Sequence, residues 1–111
     1  MEFTKSEEKA WAKQHYHGLD GVIQPSFTPD LEALDEEGIR HDVRHNIDKG
    51  MFSVFCAAEV SALSSEERKQ FVRIVAEEAK GKVLVSMFGV FDDADRSIEL
   101  LNYFESVGGT H

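Results

Sequence analysis

Residues Phe52–Lys69 read FSVFCAAEVSALSSEERK. Phe52, Val54 and Phe55 make a short apolar run of strand-forming residues. Cys56, Ala57 and Ala58 are small, so another group can approach the backbone there. Glu59 falls where the strand should end. Ser64 stands three residues before Glu67, the spacing of a capping box that opens a helix. Strand, short loop with one carboxylate, helix: in a parallel α/β fold such a loop, after the C-terminal end of a strand, is where sites are built. A chemical site in this chain is therefore expected at Cys56–Glu59 or beside it.

Outward from this stretch the same unit recurs. Gly21–Phe27 reads as a first strand, with pairing expected to weaken at Pro25. Phe27-Thr28-Pro29-Asp30 follows as an exposed turn. Ser26 and Thr28 stand at this strand's end, where their hydroxyls either meet a substrate or cap the turn. Asp35–Lys49 reads as a long helix with Asp35 as N-cap, Gly50 as its stop and Ile39, Val43 and Ile47 as the buried stripe. Phe52–Ala57 is the second strand and Ser65–Ala79 the second long helix, with Phe71, Val72, Val75, Ala76 and Ala79 inward. Val83–Phe88 is a third strand, apolar enough to be buried on both faces. A third long helix starts at Asp92 or Asp93, faces the core through Ile98, Leu101, Phe104 or Tyr103, and Val107, and ends at Gly108 and Gly109. A shorter leading helix occupies Met1–Tyr16, with capping-box spacing between Thr4 and Glu7 and Gly18 as its stop.

Strands starting near 21, 52 and 83 are 31 residues apart each time, the period of a βα unit. Successive units of this kind build a parallel sheet with right-handed crossovers. An open sheet of three such strands would leave two apolar edges unpaired. A closed (β/α)8 barrel needs eight units and about 250 residues, and this chain has 111. The expectation is an α/β chain holding the first three βα units of a TIM (β/α)8 barrel, truncated over 19–111, behind a leading helix at 1–18.

Composition narrows the function classes. A formal net charge of −9 repels phosphate backbones and anionic membranes, so no nucleic acid is expected as a partner. No apolar run approaches the ~18 residues of a membrane span. Cys56 is the single cysteine, so no internal disulfide can form, and with no signal peptide visible a cytoplasmic, reducing location is expected. Cys56 reads as a small core residue rather than a nucleophile. His41 and His45 in HDVRH stand four apart, as in the zinc helix H-E-x-x-H. Their second residue is the shorter Asp42 and no third ligand is signalled, so a polar outer helix face is expected there and no metal. A metal-dependent hydrolase using this pair is the weakest of the functions weighed.

In order along the chain, Leu34-Asp35-Glu36-Glu37-Gly38-Ile39-Arg40, then Glu59-Val60-Ser61-Ala62-Leu63-Ser64-Ser65-Glu66-Glu67-Arg68, then Ile98-Glu99-Leu100 resemble the dihydrodipicolinate synthase / N-acetylneuraminate lyase family of class I aldolases. The resemblance runs from about Gly21 to His111. It implies a (β/α)8 barrel, commonly a homotetramer or dimer, acting on a small 2-keto acid through a Schiff base on a lysine, with no cofactor. It places that lysine on the sixth strand and a tyrosine proton relay near the end of the fourth, both beyond residue 111, so the short chain is expected to be inactive alone. Lys49, Lys69, Lys80 and Lys82 stand on helices or loops. The family's Gly-Thr-Thr-Gly-Glu carboxylate-binding motif falls on Phe55-Cys56-Ala57-Ala58-Glu59, where both hydroxyls are lost and backbone amides remain. Its Thr-Pro-Phe falls on Pro25-Ser26-Phe27 or, shifted, on Phe27-Thr28-Pro29. The resemblance thus implies substrate contacts at Ser26, Thr28, Cys56, Ala57, Ala58 and Glu59. The alternative from a different class is a small, non-catalytic α/β binding or interaction module.

Overall fold

The computed structural model describes residues 3–89 and 93–110, without the side chains of Ala58 and Glu59. Three strands, β1 (Asp20–Ile23), β2 (Ser53–Cys56) and β3 (Leu84–Met87), form one parallel sheet in the order β1-β2-β3. They begin 33 and then 31 residues apart. A leading helix α1 spans Glu8–His15, and α2 (Glu36–Asp48), α3 (Ser65–Ala79) and α4 (Ala94–Ser106) follow the three strands in turn. β1 stops at Ile23, four residues short of the expected end. Pro25, with no N–H to give, cannot continue the ladder. The chain instead pairs locally, with an antiparallel bridge between Phe27 and Leu34.

The register aligns Gly21 with Val54 and Val85, and Ile23 with Cys56 and Met87. Side chains alternate along a strand, so these residues share one face of the sheet. That face is closed by helices: Ile39 and Val43 of α2, Phe71, Val72, Ile74 and Val75 of α3, and Leu100 and Phe104 of α4 join Ile23, Val54, Cys56, Val85 and Met87 in one buried cluster. α2 approaches β1 so closely at Gly21 that a Cβ there would lie 2.2 Å from Asn46 Oδ1, so a larger residue would displace the Asn46 amide. The opposite face carries Asp20, Val22, Ser53, Phe55, Leu84 and Ser86. Among the described residues no helix packs over its centre, and Val22 is 55% exposed.

Local signals set the helix ends. Asp35 accepts from Gly38 N–H at 3.0 Å at the start of α2. Ser64 and Glu67 form the reciprocal capping box of α3. Asp93 accepts from Arg96 N–H at 2.9 Å at the start of α4; Asp92, the other expected start, lies outside the described residues. α2 and α3 are cross-linked on their outer side by Arg40, which meets Glu36 at 2.6 Å and Glu77 at 2.8 Å, and by Arg44 bonded to Glu37 and 3.6 Å from Glu78.

Two core expectations change. In α4 the buried residues are Leu100 and Phe104, with Tyr103 packed beside them, while Ile98 (56%) and Leu101 (43%) are exposed. One flank of α4 meets α3, with Lys69 reaching Glu99 at 2.7 Å. Ile98 and Leu101 lie toward the other flank, which no helix among the described residues covers. β3, expected to be interior to a sheet, is here an edge strand.

Candidate functional site at the C-terminal ends of the strands

Because Ile23, Cys56 and Met87 are in register, the three strands end level and their following loops emerge side by side. The ladder runs one step further: Ala57 N–H donates to Ile23 O at 3.4 Å and Phe88 N–H to Cys56 O at 3.3 Å. Beyond it, Ala58–Ala62 winds into a 3-10 turn, with Val60 N–H bonded to Ala57 O at 3.2 Å. This turn carries Glu59. The first N–H groups of such a turn have no partner within it, so the backbone there presents donors at the end of the sheet.

Both ends of the turn are anchored. Its start is tied to the strand ladder. Its far end is held by Arg68, one turn into α3, which donates from Nε to Val60 O at 3.1 Å and from Nη2 to Ser61 O at 2.8 Å. Arg68 was legible only as a member of the Leu-Ser-x-Glu-Glu-Arg pattern. Its clamping of carbonyls seven and eight residues back was not, because no local spacing rule links a helix side chain to a preceding loop backbone. The capping box fixes where α3 begins and thereby the reach of the arginine.

The expected contact residues are placed as follows. Cys56 is fully buried on the helix-covered face, and burial, with a smaller contribution from the Asp20 charge, pushes its thiol well above the ordinary range. It is neither ionised nor turned to the open face. Ala57 is also buried, its backbone still extended just before the turn. The side chains of Ala58 and Glu59 lie outside the described residues. Ser26 Oγ is buried and has no hydrogen-bond partner among the described residues. It lies against the first turn of α2, near Gly38. Thr28 serves its own loop: its hydroxyl meets Asp30 Oδ1 at 2.5 Å and accepts from Ala33 N–H at 3.3 Å. Asp30 is held below the usual carboxylate range chiefly by that hydroxyl. Leu31 at the loop tip takes a left-handed φ of 63°. Of the glycine-rich loop after β3, Phe88 and Gly89 are described, while Val90 and Phe91 lie outside the described residues.

His41 and His45 are on the solvent side of α2, their rings 6.4 Å apart, with His41 Nδ1 3.5 Å from Asp42 Oδ1. Among the described residues no three His, Cys, Asp or Glu side chains gather as metal ligands. Among them, too, no helix is long and apolar enough to cross a membrane. None of β1, β2 and β3 carries a lysine.

A three-stranded parallel wall, helices on one face only and strand ends level at one end is the geometry of a barrel sector. Residues 18–109 match the model of the dihydrodipicolinate synthetase family. This chain belongs to that family. It is 34% identical over 96 residues to 4-hydroxy-tetrahydrodipicolinate synthase of Methanopyrus kandleri, covering 81% of this chain and 32% of that protein. It is 32% identical over 96 residues to N-acetylneuraminate lyase of Haemophilus influenzae, covering 82% and 32%. Among solved structures it superposes on N-acetylneuraminate lyase of Fusobacterium nucleatum complexed with pyruvate, with a TM-score of 0.74, 25% identity and coverage of 83% and 32%. It also superposes on a prophage protein of the dihydrodipicolinic acid synthase family from E. coli K12 in complex with pyruvate, with a TM-score of 0.77, 25% identity and coverage of 85% and 32%. The chain therefore spans about a third of the length of the relatives it matches, and its fold is the first three βα units of the dihydrodipicolinate synthetase TIM barrel.

Proposed function

We propose that this chain is one sector of a Schiff-base-forming aldolase or lyase that acts on a small 2-keto acid. The observation that carries the reading is the level ending of β1, β2 and β3, which lines up the loops after Ile23, Cys56 and Met87 around one end of the uncovered sheet face. In a barrel enzyme this end holds the chemistry. The two pyruvate-bound neighbours support a keto acid as the ligand class.

In this reading residues 19–111 are the barrel part and 1–18 an added leading helix. Ser26, Thr28, Cys56, Ala57, Ala58 and Glu59 form this sector's substrate end, with unequal duties. The turn after β2 offers backbone N–H groups to the keto acid's carboxylate. Ser26 supplies the hydroxyl with bonding capacity to spare. Cys56 and Ala57 shape the floor, and Thr28 holds the neighbouring loop closed. The amine that forms the imine must be neutral to attack, which requires a desolvated lysine. Lys69, bound to Glu99 and raised in pKa by it, is unsuited to that role. With no lysine on β1, β2 or β3, the imine lysine in this reading is supplied from outside residues 1–111, and the chain alone is inactive. The complete enzyme acts as a soluble homo-oligomer.

Borohydride reduction in the presence of isotopically labelled pyruvate tests both parts. The 111-residue chain should take up no label; stoichiometric labelling at one of its lysines would overturn the inactivity. Residues 18–109 grafted in place of the matching third of an N-acetylneuraminate lyase should restore pyruvate trapping at a lysine outside the graft. A folded, oligomeric chimera that traps no pyruvate at saturating concentration would sink the keto-acid reading.

A further inference from the structure

β2 has a paired strand on either side. The turn that follows it, Ala58–Ala62, is held at both ends by described residues. Left to its own bonds this turn would be loose. Five residues is long for a 3-10 segment, whose hydrogen bonds are poorly aligned. Those it makes are also long: Val60 N–H reaches Ala57 O at 3.2 Å and Leu63 N–H reaches Val60 O at 3.1 Å. The ladder bond that leads into it, Ala57 N–H to Ile23 O, measures 3.4 Å.

The two bonds from Arg68 are of another kind. A guanidinium donates with a full charge, which makes such bonds about twice as strong as neutral ones. Nε and Nη2 belong to one planar fork, and they reach consecutive carbonyls, Val60 O at 3.1 Å and Ser61 O at 2.8 Å. Val60 O thus accepts from Leu63 and from Arg68, using both its lone pairs. The fork has its own support. Arg68 N–H donates to Ser64 O at 2.9 Å in the first turn of α3, and the capping box fixes Ser64.

The side chains that lead into the turn offer an anion little. Cys56 is sealed on the helix-covered face, and Ala57 has no polar side-chain atom. The donors available there are main-chain N–H groups, and their directions follow from the path of the chain alone. Whatever fixes that path also fixes what a ligand meets.

We propose that Arg68 is a positioning residue of the substrate end: it holds the turn in the path that aims its N–H groups at the keto acid's carboxylate, and it acts through the geometry of its fork. The inference rests on the keto-acid reading. Lysine is no substitute, because one ammonium on a flexible stem keeps the charge and loses the fork.

The N-acetylneuraminate lyase chimera carrying residues 18–109 is titrated with labelled pyruvate under borohydride. Arg68→Lys should raise the half-saturating pyruvate concentration about tenfold, the loss of one charge-assisted bond, while labelling at saturation stays stoichiometric. Arg73→Gln removes an arginine of the same helix, one that pairs with Glu77 at 2.9 Å on its outer side, and should leave half-saturation unchanged. In the 111-residue chain itself, Arg68→Lys should speed amide hydrogen exchange at Val60 and Leu63 about tenfold relative to the amides of β2. An Arg68→Lys chimera that half-saturates at the parent's pyruvate concentration overturns the proposal, even if its stoichiometry falls, since that is the mark of a merely structural role. Unchanged exchange at Val60 and Leu63 overturns it too. A parent chimera that traps no pyruvate defeats the keto-acid reading, and this inference falls with it whatever Arg68→Lys does.

Discussion

The two faces of the sheet are made from the same three strands and have opposite fates. On one, Ile23, Val54, Cys56 and Val85 are sealed under α2, α3 and α4. On the other, Val22 is more than half exposed, Asp20 is exposed and Phe55 and Leu84 are half-covered, while only the small Ser53 and Ser86 are buried between them. The helix-covered face is a finished core; the other is one wall of an interior that three strands cannot enclose. Stability is therefore expected to reside on the covered side.

Chemical labelling of Cys56 gives the largest contrast. Its thiol is buried and held in the neutral form, so it should react with a disulfide reagent about a hundredfold or more slowly in the native chain than in urea. Equal rates would place β2's helix-side face in contact with solvent and break the comparison. The same thiol sets a sign at alkaline pH. The folded pKa is raised above the unfolded one, so stability is intact below the unfolded value and declines as pH rises through it toward the folded one.

Phe71→Ala, at the centre of the covered face, should cost about 3–5 kcal/mol in urea unfolding. Ser64→Ala should cost about 1 kcal/mol by removing the N-cap of α3. The bonds from Ser64 N–H and then its hydroxyl hold Glu67 below the usual carboxylate range. That stabilisation is present above the unfolded pKa and fades as pH falls through the folded one, and the Ser64→Ala variant should show a shallower acid limb. Val22→Ala, on the open face, should change stability by no more than about 0.5 kcal/mol. A loss as large as that of Phe71→Ala would mean that the open face is itself a core.

The order of strands and helices could be read from the sequence because each βα unit repeats the same local instructions. Asp35, Ser64 and Asp93 cap helices by short-range bonds, and the apolar stripes of α2 and α3 face a single neighbour, the sheet. α4 was misjudged because its apolar residues point two ways. Periodicity registers Ile98 and Leu101 as apolar but cannot say that Leu100 and Phe104 have the sheet to pack against. The early end of β1 followed from Pro25, yet the Phe27–Leu34 bridge that takes over depends on Thr28 and Ala33 meeting across a loop. The place of the candidate site was legible, since Cys56–Glu59 ends a strand. Cys56 reads both as a small core residue and, from its place at the strand end and in the family motif, as a substrate contact; its thiol is buried on the helix-covered face. Arg68's role was illegible because it joins a helix to the backbone of the loop before it, and no local pattern records which carbonyls a fold will bring within reach.

Arg68 grips carbonyl oxygens, and every residue has one. The path of the Glu59 turn is thus held at Ser61 without reading its side chain, while Val60 is fixed a second time by its burial in the core. A loop held this way can change its exposed side chains without being rebuilt, a form of modularity in which one arginine and one buried valine keep the shape.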